Sequence, residues 1–147
     1  MPVFDASALP PYAVILVPEA FQDQGDPGPK RLVVIGHQAG HAICVKATSK
    51  TEPYKNNAGM MESCVFYGAD DEPCFEKETV VQPDNQVPLS YDKLDEWYRK
   101  GTLEVLGELP TEEFEERLLQ AADGERINER KKQRIVEMVR SNRERRA

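Results

Sequence analysis

The chain has 147 residues, 39% of them hydrophobic and 31% charged, enough for one domain or one domain with a helical appendage. Its longest apolar run, Tyr12 to Val17, is a strand's length and far short of the ~18 residues of a membrane span. The amino terminus, Met1 to Asp5, lacks the basic and apolar regions of a signal peptide, so the expectation is no membrane and a cytoplasmic location.

Charge is unevenly placed along the chain. Residues 126–147 hold nine Lys or Arg against three Glu, a net +6, which leaves −13 on the other 125 residues for the overall −7. An acidic body repels nucleic acid at long range, so any RNA or DNA site has to be local and positive. The basic tail can be such a site, fold back on the acidic body, or present a solvated helix face.

Taken in order, residues 1–11 carry Pro2, Pro10 and Pro11 and read as an extended lead-in. Tyr12 to Val17 is a strand closed by Pro18, and Gln22 to Pro29 is a polar loop rich in Gly and Pro. Lys30 to Gly36 and His41 to Lys50 read as two strands joined through His37-Gln38-Ala39-Gly40, a hairpin link. Lys50 to Met60 is a second polar loop, Glu62 to Tyr67 a strand, and Asp70 to Pro73 an acidic turn. Glu78 to Gln82 is a short strand, Pro83-Asp84-Asn85 a turn, and Gln86 to Leu89 a further extended piece.

Ser90 is placed to cap a helix over Tyr91 to Lys100, stopped by Gly101, with Leu94, Trp97 and Tyr98 as its apolar stripe. Thr102 to Leu106 alternates as a last strand ended by Gly107. A second helix spans Glu112 to Ala122, its early glutamates suited to the positive end of the helix dipole. Asn128 caps a third through about Ser141, with few apolar residues and marginal unless it packs on something. Short strands, tight turns and long polar loops predict an α+β, mostly β fold: a small curved antiparallel sheet or half-open barrel with carboxy-terminal helices.

The hairpin concentrates the chemistry. An antiparallel pairing sets Lys30 and Arg31 near Thr48, Ser49 and Lys50, cations and hydroxyls suited to holding a phosphate. Cys44, Cys64 and Cys74 show no Cys-x-x-Cys spacing and read as structural thiols. His37 and His41 flank the turn without an acidic cluster to help them hold a metal, and the acidic turn lacks calcium-loop spacing. No metal or other cofactor is expected.

From about Tyr12 to about Leu119, this order of elements resembles the PemK/MazF family of toxin endoribonucleases. Gly25 to Gly28 stands for the family's glycine-containing loop and Pro29 to Ile35 for the strand it opens. Thr48-Ser49 matches the Thr-Ser strand end, Val80 to Gln86 the later strand with its polar pair, and Ser90 to Leu103 the helix and Gly-Thr-Leu stop. The resemblance implies an SH3-like barrel domain over 1–110, including the helix at 91–100, and a two-helix extension over 111–147.

It further implies cleavage of single-stranded RNA without a metal, by attack of a ribose 2′-hydroxyl on the adjacent phosphate. Lys30, Arg31 and Thr48 would be catalytic; Ser49, Lys50, Asp84 and Gln86 would bind substrate. The implied partners are an antitoxin protein and a second copy of the chain in a homodimer. In strict register Lys30 takes the family's arginine position and Arg31 its proline position, so which of the two faces Thr48 decides between an enzyme and a silent relative. The alternatives are a silent module of the same fold that binds protein or nucleic acid, and a topoisomerase poison.

Overall fold

The computed structural model describes residues 4–18, 29–70 and 75–146. The loop at Gln22 to Gly28, the end of the acidic turn and Cys74 lie outside the described residues. The chain forms a curled, six-stranded antiparallel half-barrel with helices following it. Its strands are β1 (Ala13–Val17), β2 (Lys30–Gln38), β3 (His41–Thr48), β4 (Val65–Tyr67), β5 (Thr79–Ser90) and β6 (Glu104–Glu108), arranged β4-β5-β3-β2-β1-β6. Helices α1 (Glu52–Lys55) and α2 (Ala58–Glu62) precede β4, and α3 (Tyr91–Arg99) separates β5 from β6. Helices α4 (Thr111–Ala122) and α5 (Glu129–Arg146) close the chain. Among the described residues no helix is long and apolar enough to cross a membrane.

The expected hairpin forms, with the first strand running closer to the turn than the sequence suggests and the second starting at His41 as expected and ending at Thr48. His37 and Gln38 belong to β2, and only Ala39 (φ 51°) and Gly40 (φ 78°) make the turn. Positive φ at both positions is the twist that joins two right-twisted strands without splaying them.

Elsewhere the differences follow from local chemistry. The polar stretch after Lys50 folds into α1 and α2, the second capped by the Asn57 side chain, which accepts from the Met60 amide at 3.2 Å. The two short pieces around Pro83 are one strand, β5, whose partner on β3 jumps from Gln86 (opposite Val45) to Gln82 (opposite Lys46). Pro83 has no N–H, and a bulge needs none from it. Gly107 (φ 152°) sits inside β6 at a similar register shift against β1, where the sequence suggested a strand end.

The sheet has an apolar cluster on each face. Leu32, Val34 and Cys44 face α3, whose Leu94 and Trp97 cover them together with Leu9 and Leu103. Ser90 Oγ caps α3 by accepting from the Lys93 amide at 3.2 Å. Tyr98, the third residue of the expected stripe, stays 46% exposed and stacks on Phe4 at 4.3 Å. On the other face Val33, Ile35, Val45 and Val81 pack against Phe114 and Leu118 of α4 and Ile135, Met138 and Val139 of α5. The last two helices therefore share the sheet's own core.

A buried polar cluster fixes α5 in place. Glu115 of α4 is 1% exposed. Its carboxylate accepts from Tyr12 Oη at 2.6 Å, Arg143 Nε at 3.2 Å and the Arg146 guanidinium at 2.8 and 2.9 Å. Asn142 Nδ2 donates to Tyr12 Oη and to the Ile35 carbonyl, the latter at 2.9 Å. Burial pushes the Glu115 carboxyl up, but the bonds from Arg146, Tyr12 and Arg143 outweigh it and hold its pKa below the ordinary 4.5. The sequence suggests for Glu115 only a place among the early glutamates at the helix dipole's positive end, and an end for α5 near Ser141. Its anchors Asn142, Arg143 and Arg146 carry the helix on to residue 146.

Two consequences can be measured. Glu115 is depressed in the fold, so its stabilisation is complete above 4.5 and drains as pH falls through the folded value. Glu115→Gln should cost roughly 3 kcal/mol at pH 7, the low end for a broken buried pair because the arginines keep partial access to water. The variant's urea midpoint should also vary less than the wild type's between pH 5 and 3. Gly36 sits where a Cβ would run into the Met138 side chain of α5. Gly36→Ala should lose about 1–3 kcal/mol by overpacking, and Met138→Ala in the same chain should recover part of it in urea melts.

Candidate functional site

The register of β2 on β3 settles the geometry of the site. Arg31 pairs with Ala47 and Leu32 with Lys46, so the next pair along is Lys30 with Thr48. Paired residues share a face and successive residues alternate. Lys30, Thr48, Lys46 and, through β5, Gln82 therefore lie on the Leu32 face, while Arg31, Ala47 and Val81 lie on the other. Lys30 faces Thr48; Arg31 does not.

This end of the sheet opens into a cleft of about 700 Å³. Among the described residues it is lined by Lys30, Arg31, Lys46, Lys50 and Lys77 and by one carboxylate, Glu76, with the Thr48, Ser49 and Thr79 hydroxyls between them. In a chain of net charge −7 such a wall is a positive island, and low-dielectric sides strengthen its field on a bound anion. Helices α1 and α2 supply the rim through Pro53, Tyr54 and Met60. Helix α3 covers the same face further along, around Ala42 and Leu89, and supplies none of the described residues lining the cleft.

Thr48 is oriented by its own chain. Its Oγ1 accepts from the Lys50 amide at 3.1 Å, which leaves the hydroxyl hydrogen to donate. Arg31 Nε is buried and has no hydrogen-bond partner among the described residues, although the residue as a whole is half-buried. Of the residues the sequence singled out, Lys30, Arg31, Thr48, Ser49 and Lys50 come together here. Asp84 and Gln86 do not line the cleft. The Asp84 carboxylate accepts from Lys131 Nζ at 3.0 Å, and Gln86 Nε2 donates to the Lys131 carbonyl at 3.2 Å, so both tie β5 to α5.

Lys46, Lys77, Gln82 and Asn85 went unnoticed in the sequence. Lys46 had a signal: it stands two residues before Thr48 on a strand and so shares its face. Gln82 had none, because its place depends on the pairing of β5 with β3 across a bulge. Cys44 and Cys64 do not line the cleft. Burial pushes the Cys44 thiol up to about 12, and burial with the Asp84 charge raises Cys64 to about 11. Among the described residues no group of three His, Cys, Asp or Glu side chains is placed to hold a metal ion. No protein-family model matches the chain, and no curated protein sequence matches it.

The cleft's charge makes a direct prediction. A short single-stranded oligonucleotide should bind with an affinity that falls as salt rises. Lys46→Gln should flatten the slope of log K on log salt by about 0.7, one phosphate contact on a single strand. Lys132→Gln, which removes a surface cation paired with Asp123 outside the cleft, should leave the slope unchanged in fluorescence-anisotropy titrations.

Proposed function

We propose that this chain is an endoribonuclease of the PemK/MazF kind, cleaving single-stranded RNA by its own side chains. One observation carries the reading: five cations and a donating threonine hydroxyl surround a strand-end cleft in an otherwise acidic protein. In the reaction the ribose 2′-oxygen bonds to phosphorus while the bond to the 5′-oxygen breaks, leaving a 2′,3′-cyclic phosphate and a 5′-hydroxyl. Charge builds on the non-bridging oxygens, where Lys30 and the Thr48 hydroxyl would receive it, with Arg31 behind them. Glu76, the one carboxylate lining the cleft among the described residues, would accept the 2′-hydroxyl proton, and the Lys30 ammonium would supply one to the departing 5′-oxygen. The same reading carries an antitoxin protein and a second copy of the chain as partners, and a cytoplasmic location.

A specific observation favours a second reading, a silent RNA-binding relative. The cation on Thr48's face is Lys30, which lacks the two-pronged grip of arginine, while Arg31 stands on the opposite face.

Long single-stranded RNA incubated with the protein in chelator should give discrete fragments ending in cyclic phosphate. Thr48→Val and Lys30→Ala should each lower the cleavage rate about 10²–10³-fold, the loss of one donor to the developing charge. Asp84→Asn should leave the rate constant near wild type. RNA that stays intact while binding tightly would establish the silent relative, and RNA that neither binds nor breaks would remove both readings.

A further inference from the structure

The floor of the cleft holds an amide pair that phosphate chemistry does not use. Gln82 is only 5% exposed, yet its side chain lines the cleft beside its cross-strand partner Lys46. Its Oε1 accepts from Asn85 Nδ2 across the β5 bulge, which orients both amides at once. Gln82 Nε2 is left as a donor with no partner among the described residues, and Asn85 Oδ1 as an adjacent acceptor on an exposed residue. Gln82 Nε2 is not one of the fully enclosed polar atoms, so this donor stays open to the cleft, where a ligand or water can meet it.

The position relative to the cations is suggestive of a particular ligand. Gln82 lies two residues along β5 from Val80, the partner of Thr48, so the two rows are about 7 Å apart. That separation fits within one nucleotide from phosphate to base. Tyr54 and Met60 on the rim offer a flat and an apolar surface against which a base can lie. We infer that Gln82 and Asn85 form a base-reading subsite, meeting the donor and acceptor edge of one nucleobase beside the phosphate held by Lys30 and Thr48. This rests on the reading of the cleft as an RNA site. It adds that the chain selects among sequences through these two amides.

The test measures binding of the four nucleoside 3′-monophosphates, with ribose 5-phosphate as a base-free control, by calorimetry or NMR titration. The wild type should separate its best from its worst base by about 10- to 100-fold, the range of one good pair of base contacts. Gln82→Met, close in volume, should bring the four within about twofold while ribose 5-phosphate binds as before; Gln82→Glu, which exchanges donor for acceptor, should reorder them. Should the floor not tolerate methionine, Asn85→Ala at an exposed position releases the Gln82 amide and should lower the discrimination on its own. Equal wild-type affinity for all four bases with ribose 5-phosphate still bound, or an unchanged ranking in the variants, would overturn the subsite and leave the anion cleft standing. Failure to bind ribose 5-phosphate and nucleotides alike would overturn both.

Discussion

The buried carboxylate of Glu115 is the constraint on which the arrangement of the rest depends. A charge with 1% exposure persists only if neighbours replace the water it has lost, and here they come from two distant parts of the chain. Tyr12 belongs to the entry into β1, Glu115 to α4, and Arg143 and Arg146 to the last turns of α5. Tyr12 itself is held at φ 72°, a conformation few residues adopt, and burial together with its bond to Glu115 drives its hydroxyl pKa upward. Its proton thus stays in place to donate. The cluster pins the start of the sheet beneath both carboxy-terminal helices, and the apolar cluster over Val33, Ile35 and Val45 closes beneath it.

With that face sealed, the other face is free to carry chemistry at one end. Helix α3 packs over the middle of this face and the turn end of β3, with Leu94 and Trp97 against Leu32, Val34, Cys44, Ala42 and Leu89. Among the described residues only α1 and α2 rim the opposite end, and strand alternation decides which side chains share it. The bulge in β5 matters as much as the hairpin. By looping out Pro83, Asp84 and Asn85 it brings Gln82 opposite Lys46, and it directs Asp84 toward Lys131 on α5. One irregularity thus supplies the cleft with an amide floor and the helix with an anchor.

The hairpin, the caps at Ser90 and Asn128, and the half-barrel class were all legible, because each depends on a local pattern of alternation, turn residues or capping. Local pattern also placed Lys30 near Thr48. It could not say which of two adjacent cations faces the hydroxyl, since a slip of one residue reverses every side chain and only the pairing register decides. The role of Glu115 was hidden for a similar reason. Among four early glutamates of one helix, nothing nearby in sequence marks the one that meets Tyr12 across 103 residues. Pro83 looked like the end of a strand because proline breaks a ladder, whereas the long strand absorbs it in a bulge.

The distribution of charge argues against the most obvious nucleic-acid surface. The basic carboxy-terminal run carries +6 and would be the first suspect in a composition-based reading. Four of its nine cations are committed to the body instead: Lys131 to Asp84, Lys132 to Asp123, and Arg143 and Arg146 to Glu115. Each such pair lowers the field that the helix projects outward. The cleft gathers five cations, with one carboxylate among the described residues that line it, in a chain whose net charge is −7. An approaching polyanion is repelled over most of this protein and attracted over a small part of it. On the proposed reading, a positive site this local in a net acidic chain would suit a short, flexible single strand that can place one segment in the cleft better than a stiff duplex.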